Sequence, residues 1–115
     1  NLERVQVVTG WTKRDGSSSE KVYNVAISED AGSSTVDVRT ATYQNSIGKS
    51  QFISYWVDPD FNSEEEAFYY VRVLEIPTPR WTTYDSVIFN IELPYYIPKT
   101  HQERAYTSSI WYSPK

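Results

Sequence analysis

Residues 68–75, Phe68-Tyr-Tyr-Val-Arg-Val-Leu-Glu75, carry the strongest strand pattern in the chain. Tyr69, Val71 and Val73 fall on one face of an extended chain, because successive side chains of a strand point to opposite faces. The preceding Asp58-Pro59-Asp60 ends any ladder before it, since proline has no N–H to donate and holds the residue before it extended. The pattern predicts a strand rich in aromatic residues that is entered through a corner.

Further strands are predicted on both sides of this one. Alternation over residues 5–11 predicts a first strand, and Asp15-Gly16 supplies the positive φ of a hairpin turn before the strand at 23–27. Asn62 or Ser63 can cap a short helical turn at 64–67. The remaining predicted strands are 35–39, 51–57, 87–93 and 106–112, with irregular loops at 76–84 and 94–101.

The number of strands and the composition indicate one all-β domain. Aromatic residues make up 16% of the chain, which favours a packed sheet over a helical or disordered chain. The strand at 68–75 resembles the F strand of immunoglobulin-like sandwiches, in which a tyrosine near the corner bonds to upstream backbone, and Tyr69 is the candidate for that role. We expect residues 1–115 to form a single immunoglobulin-like antiparallel β-sandwich of about seven strands, with at most one short helical turn.

Charge and residue usage exclude several classes of partner and site. The net charge of −4, without any basic run, lacks the footprint that phosphate backbones require, so we expect no nucleic-acid partner. Apolar runs are far shorter than the roughly 20 residues that cross a bilayer, so we expect no membrane insertion. Without Cys there are no disulfides or thiolate sites. The absence of Met predicts a processed chain or a piece of a longer protein.

No set of residues has the spacing of a catalytic or metal site. His101 is the only histidine, so the multi-histidine sets of catalytic zinc sites cannot be assembled, and we interpret it as an ordinary loop residue. The acidic stretch at 58–66 starts like a calcium loop, but Ser63 stands where the sharp turn needs glycine and Tyr69 where a glutamate belongs. No Gly-x-Ser-x-Gly motif presents a nucleophile. We expect no catalytic residue, metal ligand or cofactor in this chain.

One segment favours a binding surface. Residues 77–81 read Pro-Thr-Pro-Arg-Trp, and the two prolines hold a planar cation and an amphipathic ring at fixed positions, which suits the centre of an interface. The candidate interface residues are Arg72, Glu75, Arg80, Trp81, Tyr84, Gln102, Glu103 and Arg104.

Two alternatives to this hypothesis remain open. The first is structural: the charged residues tie two strands together as ion pairs while Trp81 covers a core edge. The charged residues concerned are Arg72, Glu75, Glu103 and Arg104. The second is a glycan partner, because exposed aromatic rings can stack on sugar rings; the candidates are Trp81, Tyr84, Tyr95 and Tyr96.

Two long stretches carry a family resemblance. They are Ala67-Phe-Tyr-Tyr-Val-Arg-Val-Leu-Glu-Ile-Pro-Thr-Pro-Arg-Trp-Thr-Thr-Tyr-Asp85 and Gln102-Glu-Arg-Ala-Tyr-Thr-Ser-Ser-Ile-Trp-Tyr-Ser-Pro114. Both resemble the DUF3604 family near its C-terminus. Shorter matches at 10–11, 20–23, 34–37 and 56–61 extend the resemblance over nearly the whole chain. His101, Tyr106 and Ser109 depart from the family pattern, which loosens the match in the last loop and strand.

The resemblance implies a parent protein that is long, bacterial and exported to the periplasm or secreted. Its main portion resembles metal-dependent hydrolases of the PHP and amidohydrolase kind, so a divalent metal and its ligands would lie upstream. This chain would be its C-terminal, non-catalytic accessory domain and would pack on the catalytic domain through residues 72–85 and 102–104. The alternative is an autonomous module that binds a carbohydrate or another ligand. The family's biochemical function is uncharacterised, so whether the parent is an enzyme is left open.

Overall fold

The computed structural model describes the whole chain, Asn1–Lys115, as seven β-strands and one α-helix. Five strands form one antiparallel sheet, and two form a separate ribbon. The elements in chain order are β1 (Leu2–Thr12), β2 (Ser18–Ile27), β3 (Glu66–Glu75), β4 (Thr78–Pro79), α1 (Trp81–Phe89), β5 (Thr100–His101), β6 (Arg104–Tyr106) and β7 (Ile110–Tyr112). The expected all-β class, with about seven antiparallel strands in two sheets, is confirmed.

Strand β1 lies in the middle of the large sheet, between β2 and β3. Val7 at its centre faces Tyr23 on one side and Val71 on the other. The turn between β1 and β2 contains Gly16 at φ 82°, and the Asp15 carboxylate accepts the N–H of Ser17 at 2.9 Å. The first three strands and the hairpin turn therefore form where alternation and turn residues predict them.

The outer side of β3 carries two short strands, β6 and β7, which both pair with it. Between them, the N–H of Thr107 donates to the carbonyl of Val71 at 3.0 Å, and the Thr107 Oγ1 accepts the N–H of Val71 at 2.9 Å. The single strand predicted at 106–112 is wrong, because the chain leaves the ladder at residues 107–109 and then returns.

Residues 52–62 lie over one face of the sheet and form no ladder, with a turn at Pro59 and Asp60. The Trp56 ring centre lies 5.0 Å from that of Tyr23 and 6.4 Å from that of Tyr69. The Ser54 hydroxyl donates to the carbonyl of Val25 at 2.9 Å. The strand predicted at 51–57 is wrong, since alternation indicates an extended backbone but supplies no neighbour for its hydrogen bonds.

Two other predicted elements are also reduced to turns. Residues 35–39 contain one isolated bridge, between Asp37 and Thr42, rather than a strand. The side chain of Asn62 accepts the N–H of Glu64 at 3.0 Å, as predicted for a cap, but no helical turn follows because β3 begins at Glu66.

Helix α1 replaces the strand predicted at 87–93 and part of the predicted loop at 76–84. It begins after Arg80, whose carbonyl accepts the N–H of Thr83 at 2.8 Å, and it ends at Asn90, whose φ of 52° is left-handed. At nine residues it makes about two and a half turns, so the chain has one short helix, longer than the single helical turn that was expected. No helix of the chain is long enough to span a bilayer.

The molecule is elongated and its core is thin. It measures 60 × 30 × 20 Å, and its radius of gyration is 18.7 Å, against about 13 Å for a compact domain of this length. Its accessible surface is 8141 Å², whereas a compact monomer of this mass exposes about 6,500 Å². The chain therefore exposes roughly 1,600 Å² more than a compact monomer, and large apolar side chains such as Ile53 and Trp111 are among the exposed residues.

Candidate functional site

Four aromatic side chains form a row on the face of the large sheet opposite to Trp56. The ring centres of Trp111 and Phe68 are 5.5 Å apart, those of Phe68 and Tyr70 are 6.4 Å apart, and those of Tyr70 and Tyr106 are 6.1 Å apart. We call this row the aromatic face. Trp111 is 75% exposed and Tyr106 57% exposed, so no other part of the chain covers the ends of the row.

Strand β1 forms the floor of the aromatic face. Gly10 lies opposite Phe68, and a Cβ placed on Gly10 would stand 2.5 Å from the Phe68 ring. The glycine therefore allows the ring to lie directly over the backbone of the neighbouring strand. Val8, which is buried, lies opposite Tyr70 in the same way. The row of rings therefore packs against β1 on one side and is open to solvent on the other.

A polar row borders the aromatic face. Arg72 donates from Nε and Nη2 to the Gln6 Oε1 at 2.8 and 2.6 Å, and Gln6 donates to the Asn24 Oδ1 at 2.8 Å. Arg104 lies on the next strand, opposite Leu74, and is exposed. Two guanidinium groups therefore stand at one margin of an apolar surface.

Two carboxylates of residues 52–62, Asp58 and Asp60, bond this segment to side chains on the covered face of the sheet. Tyr69 Oη donates to the Asp58 Oδ2 at 2.7 Å, and burial together with this bond raises the pKa of Tyr69 to about 12. Lys21 and Tyr23 both donate to Asp60, which lowers the pKa of that carboxyl from its ordinary value. Tyr69 does bond upstream, but to a side chain rather than to the backbone that was predicted.

A second surface is an open groove of ≈ 360 Å³ between α1, the β4–β5 ribbon and the loop that carries Tyr43. We call it the helix groove. Its lining combines aromatic rings with carboxylates and the single imidazole: Tyr43, Glu75, Thr78, Pro79, Trp81, Tyr84, His101 and Glu103.

The polar side of the helix groove is built from neighbouring backbone segments. The N–H of Glu75 donates to the carbonyl of Glu103 at 2.9 Å, and the His101 Nε2 lies 2.8 Å from the Glu103 Oε1. Gln102 donates to the Glu75 carbonyl at 2.8 Å and to the carboxylate of buried Glu3 at 2.8 Å. These bonds hold the two lining glutamates close together.

The aromatic side of the helix groove is fixed by the anchoring of α1. Thr83 is 2% exposed, and its Oγ1 donates to the carbonyl of Lys99 at 2.6 Å, while the N–H of Arg80 donates to the same carbonyl at 3.0 Å. Trp81 and Tyr84 are three residues apart, and side chains at that spacing share one face of a helix. Because these bonds anchor the helix to Lys99, the backbone that carries both rings is fixed beside the groove.

The eight residues predicted for an interface fall in two places. Those at the helix groove are Glu75, Trp81, Tyr84 and Glu103, with Arg80 beside them; its guanidinium carbon lies 6.0 Å from the centre of the Trp81 ring. Those on the large sheet are Arg72 and Arg104, and Gln102 braces the backbone between the two places.

The ion pairs weighed as a structural alternative do not form. Arg72 bonds to Gln6, and Glu103 pairs with His101, while Glu75 and Arg104 form no ion pair. His101, interpreted from the sequence as a loop residue, belongs to β5 and lines the helix groove.

The acidic stretch at 58–66 is engaged within the chain. Asp58 and Asp60 accept hydrogen bonds from tyrosines, and Glu64 pairs with Arg14. No three side chains of His, Cys, Asp or Glu in the molecule come close enough to hold a metal ion. The residues present therefore do not provide a donor set for the divalent metal that the resemblance implies for the parent.

Sequence reasoning missed the aromatic face and the contribution of Tyr43 to the groove. Alternation already placed Phe68 and Tyr70 on one face of β3. Tyr106 and Trp111 join them only through the register of β6 and β7, which places Tyr106 opposite Arg72 and Trp111 opposite Phe68. The one further signal in the sequence was Gly10, because a glycine inside a strand often marks a place where a neighbouring group approaches the backbone closely.

Comparison with known proteins assigns the family but no activity. The family model DUF3604, described as "Protein of unknown function (DUF3604)", matches residues 1–114. No curated protein and no solved structure matches the chain. The chain therefore belongs to the DUF3604 family.

Proposed function

We propose that this member of the DUF3604 family is a non-catalytic accessory domain that packs through its aromatic face on a neighbouring domain of the same polypeptide. The row of four rings, half-buried in the middle and exposed at both ends, is the observation that carries the proposal. The neighbour is, in keeping with the resemblance, a metal-dependent hydrolase-like catalytic domain of an exported protein, and the domain described here is its C-terminal partner.

The size of the uncovered surface supports packing against a large partner. The excess accessible surface of roughly 1,600 Å² is spread over the whole elongated molecule, and a standard interface needs roughly 800 Å² of it from one partner. Large exposed apolar patches mark interaction sites, and interfaces concentrate their binding energy in aromatic residues and arginine. Trp111 and Tyr106 supply the rings, and Arg72 and Arg104 the bordering guanidinium groups.

The contribution of one ring can be estimated from its exposure. An aromatic side chain buries about 200 Å², and three quarters of Trp111 is still free, so docking would remove roughly 150 Å² from water. At about 25 cal/mol per Å² this amounts to nearly 4 kcal/mol, and we expect a loss of about 2–4 kcal/mol of docking energy on truncation.

Hydroxyl-radical footprinting of the complete polypeptide and of the 115-residue chain tests the proposal without a mutation. We expect Trp111 and Tyr106 to oxidise several-fold more slowly in the complete polypeptide, because the neighbouring domain covers them. Tyr95, which is 98% exposed and lies outside the aromatic face, is the internal control and should oxidise at the same rate in both.

A substitution then separates docking from folding. Trp111→Ser should weaken docking in the complete polypeptide by about 2–4 kcal/mol and lower the stability of the 115-residue chain by less, about 0.5–1.5 kcal/mol, because there only the contact with Phe68 is lost. Equal oxidation of Trp111 in the two proteins, or an equal loss of stability in both, would refute an interdomain role for the aromatic face.

A further inference from the structure

We propose that the helix groove is a second, independent binding site, and that its ligand is a pyranose sugar ring of a neutral glycan. The groove shares no residue with the aromatic face, so the inference does not depend on the docking proposed above.

The aromatic wall supplies a surface on which a sugar ring can stack. Trp81 is 63% exposed although it is carried by an anchored helix, and Tyr84 lies one helical turn further along the same face. A flat, rigid ring that is partly desolvated by its neighbours is suited to pack against the C–H patches of a pyranose, because both surfaces are apolar. The guanidinium carbon of Arg80 lies 6.0 Å from the centre of the Trp81 ring.

The polar wall supplies acceptors for hydroxyl groups. Ionised carboxylates only accept hydrogen bonds, and the sugar hydroxyl groups donate them. Glu75 forms no ion pair, and Glu103 pairs only with the nearby His101. Acceptors placed beside an apolar ring therefore match the alternation of hydroxyl groups and C–H surface around a sugar.

The dimensions and rigidity of the groove suit a small ligand. Its volume of ≈ 360 Å³ lies at the lower end of the range of about 300–1,000 Å³ found for ligand pockets. Pro79 is buried in its floor, and the ribbon residues beneath it are paired through Thr78 and His101. Part of the conformational freedom is absent before binding, because the helix that carries the rings and the backbone of both glutamates are already held in place.

Affinity electrophoresis of the 115-residue chain in gels that contain one soluble polysaccharide each is a direct test. The probes are xylan, a mixed-linkage β-glucan, a galactomannan and glycol chitin. We expect saturable retardation by at least one of them, with a dissociation constant that rises at least tenfold in Trp81→Ala and less in Glu103→Gln. Trp81→Tyr retains a stacking ring and should retain most of the affinity, whereas Tyr95→Ala should bind like the original chain.

The outcomes separate a sugar site from its alternatives. Circular dichroism confirms that each variant keeps its fold, since Trp81 is mostly exposed. The proposal is overturned if no polysaccharide retards the chain, or if Trp81→Ala and Tyr95→Ala bind equally well. Choline is titrated in parallel by following tryptophan fluorescence, because rings and carboxylates also attract cations. Binding of choline without binding of any glycan would show that the groove is a cation site instead.

Discussion

The bond between Tyr69 and Asp58 gives the most quantitative prediction, because Tyr69→Phe removes one hydroxyl group and nothing else. The Tyr69 Oη donates to the Asp58 carboxylate at 2.7 Å, and the phenylalanine ring keeps the packing against Trp56. Burial and this bond raise the pKa of Tyr69 to about 12 from its ordinary value of 10.0.

The magnitude at pH 8 is that of one hydrogen bond to a carboxylate, at the lower end because Tyr69 is partly exposed. Burial is the first cause of the raised pKa, so the shift instead limits the stability that is lost when Tyr69 ionises, to about 2.7 kcal/mol. A hydrogen bond to a charged group contributes a similar amount, about 1.5–3 kcal/mol. We therefore expect Tyr69→Phe to lower the free energy of unfolding by about 1.5–2 kcal/mol at pH 8.

The dependence on pH has a definite sign. The pKa of Tyr69 is higher in the folded state than in the unfolded state, so its contribution is present in full below pH 10 and is lost as the pH rises toward 12. Urea denaturation of the original chain and of Tyr69→Phe at pH 8 and at pH 11.5 measures the difference, with Tyr95→Phe as the matched control. A difference between the two chains that is absent at pH 8, or that is unchanged at pH 11.5, would refute the reasoning.

Two further substitutions test close packing and a buttressing carboxylate. Gly10→Ala should destabilise the chain by about 1–3 kcal/mol, because the new methyl group displaces the Phe68 ring. The near-ultraviolet circular dichroism should change as well, and an unchanged spectrum would contradict that contact. Asp30 accepts the N–H of Gly48 at 3.0 Å, and this bond lowers the pKa of Asp30 from 3.8. The stabilisation by this carboxylate is present above pH 3.8 and is lost as the pH falls below it. Asp30→Asn should therefore lower the urea midpoint at pH 7 but not at pH 2.5. An equal decrease of the urea midpoint at both pH values would argue against a role of the carboxylate.

The first three strands of the fold were predictable because local chemistry and tertiary structure agree there. Residues 5–11, 23–27 and 68–75 alternate with period two, and Gly16 occupies the positive φ of the turn between the first two. Strand pairing agrees with the alternation about which face of the sheet each of these residues occupies.

The prediction failed where an extended or alternating pattern lacks a partner strand. Residues 51–57 alternate, yet they lie across the sheet and bond to it through side chains such as Ser54. Residues 81–89 contain β-branched and aromatic residues that favour strands, but the helix is fixed by its ends, where Asn90 takes a left-handed conformation. An asparagine at that position is a helix-end signal that the sequence does contain.

The candidate sites were predictable only in part, since both depend on contacts distant in sequence. The proline-rich loop indicated Trp81 and Tyr84 as candidates, and both line the helix groove, but the groove also needs Tyr43 and the pairing of Glu75 with Glu103. The aromatic face needs the register of two three-residue strands, which no periodicity can reveal.

The placement of β1 in the middle of the sheet has a consequence for the order of folding. Its partner β2 follows within a short hairpin, whereas its other partner, β3, pairs Val7 with Val71 across more than half the chain. Hairpins close in microseconds, but contacts between distant residues are slow because a large loop must close first. During synthesis, β1 and β2 can pair early, and the far edge of β1 stays unpaired until residues 66–75 have been made. Over that interval the two-stranded hairpin is vulnerable to pairing with another chain, so the rate of aggregation during refolding should rise with protein concentration.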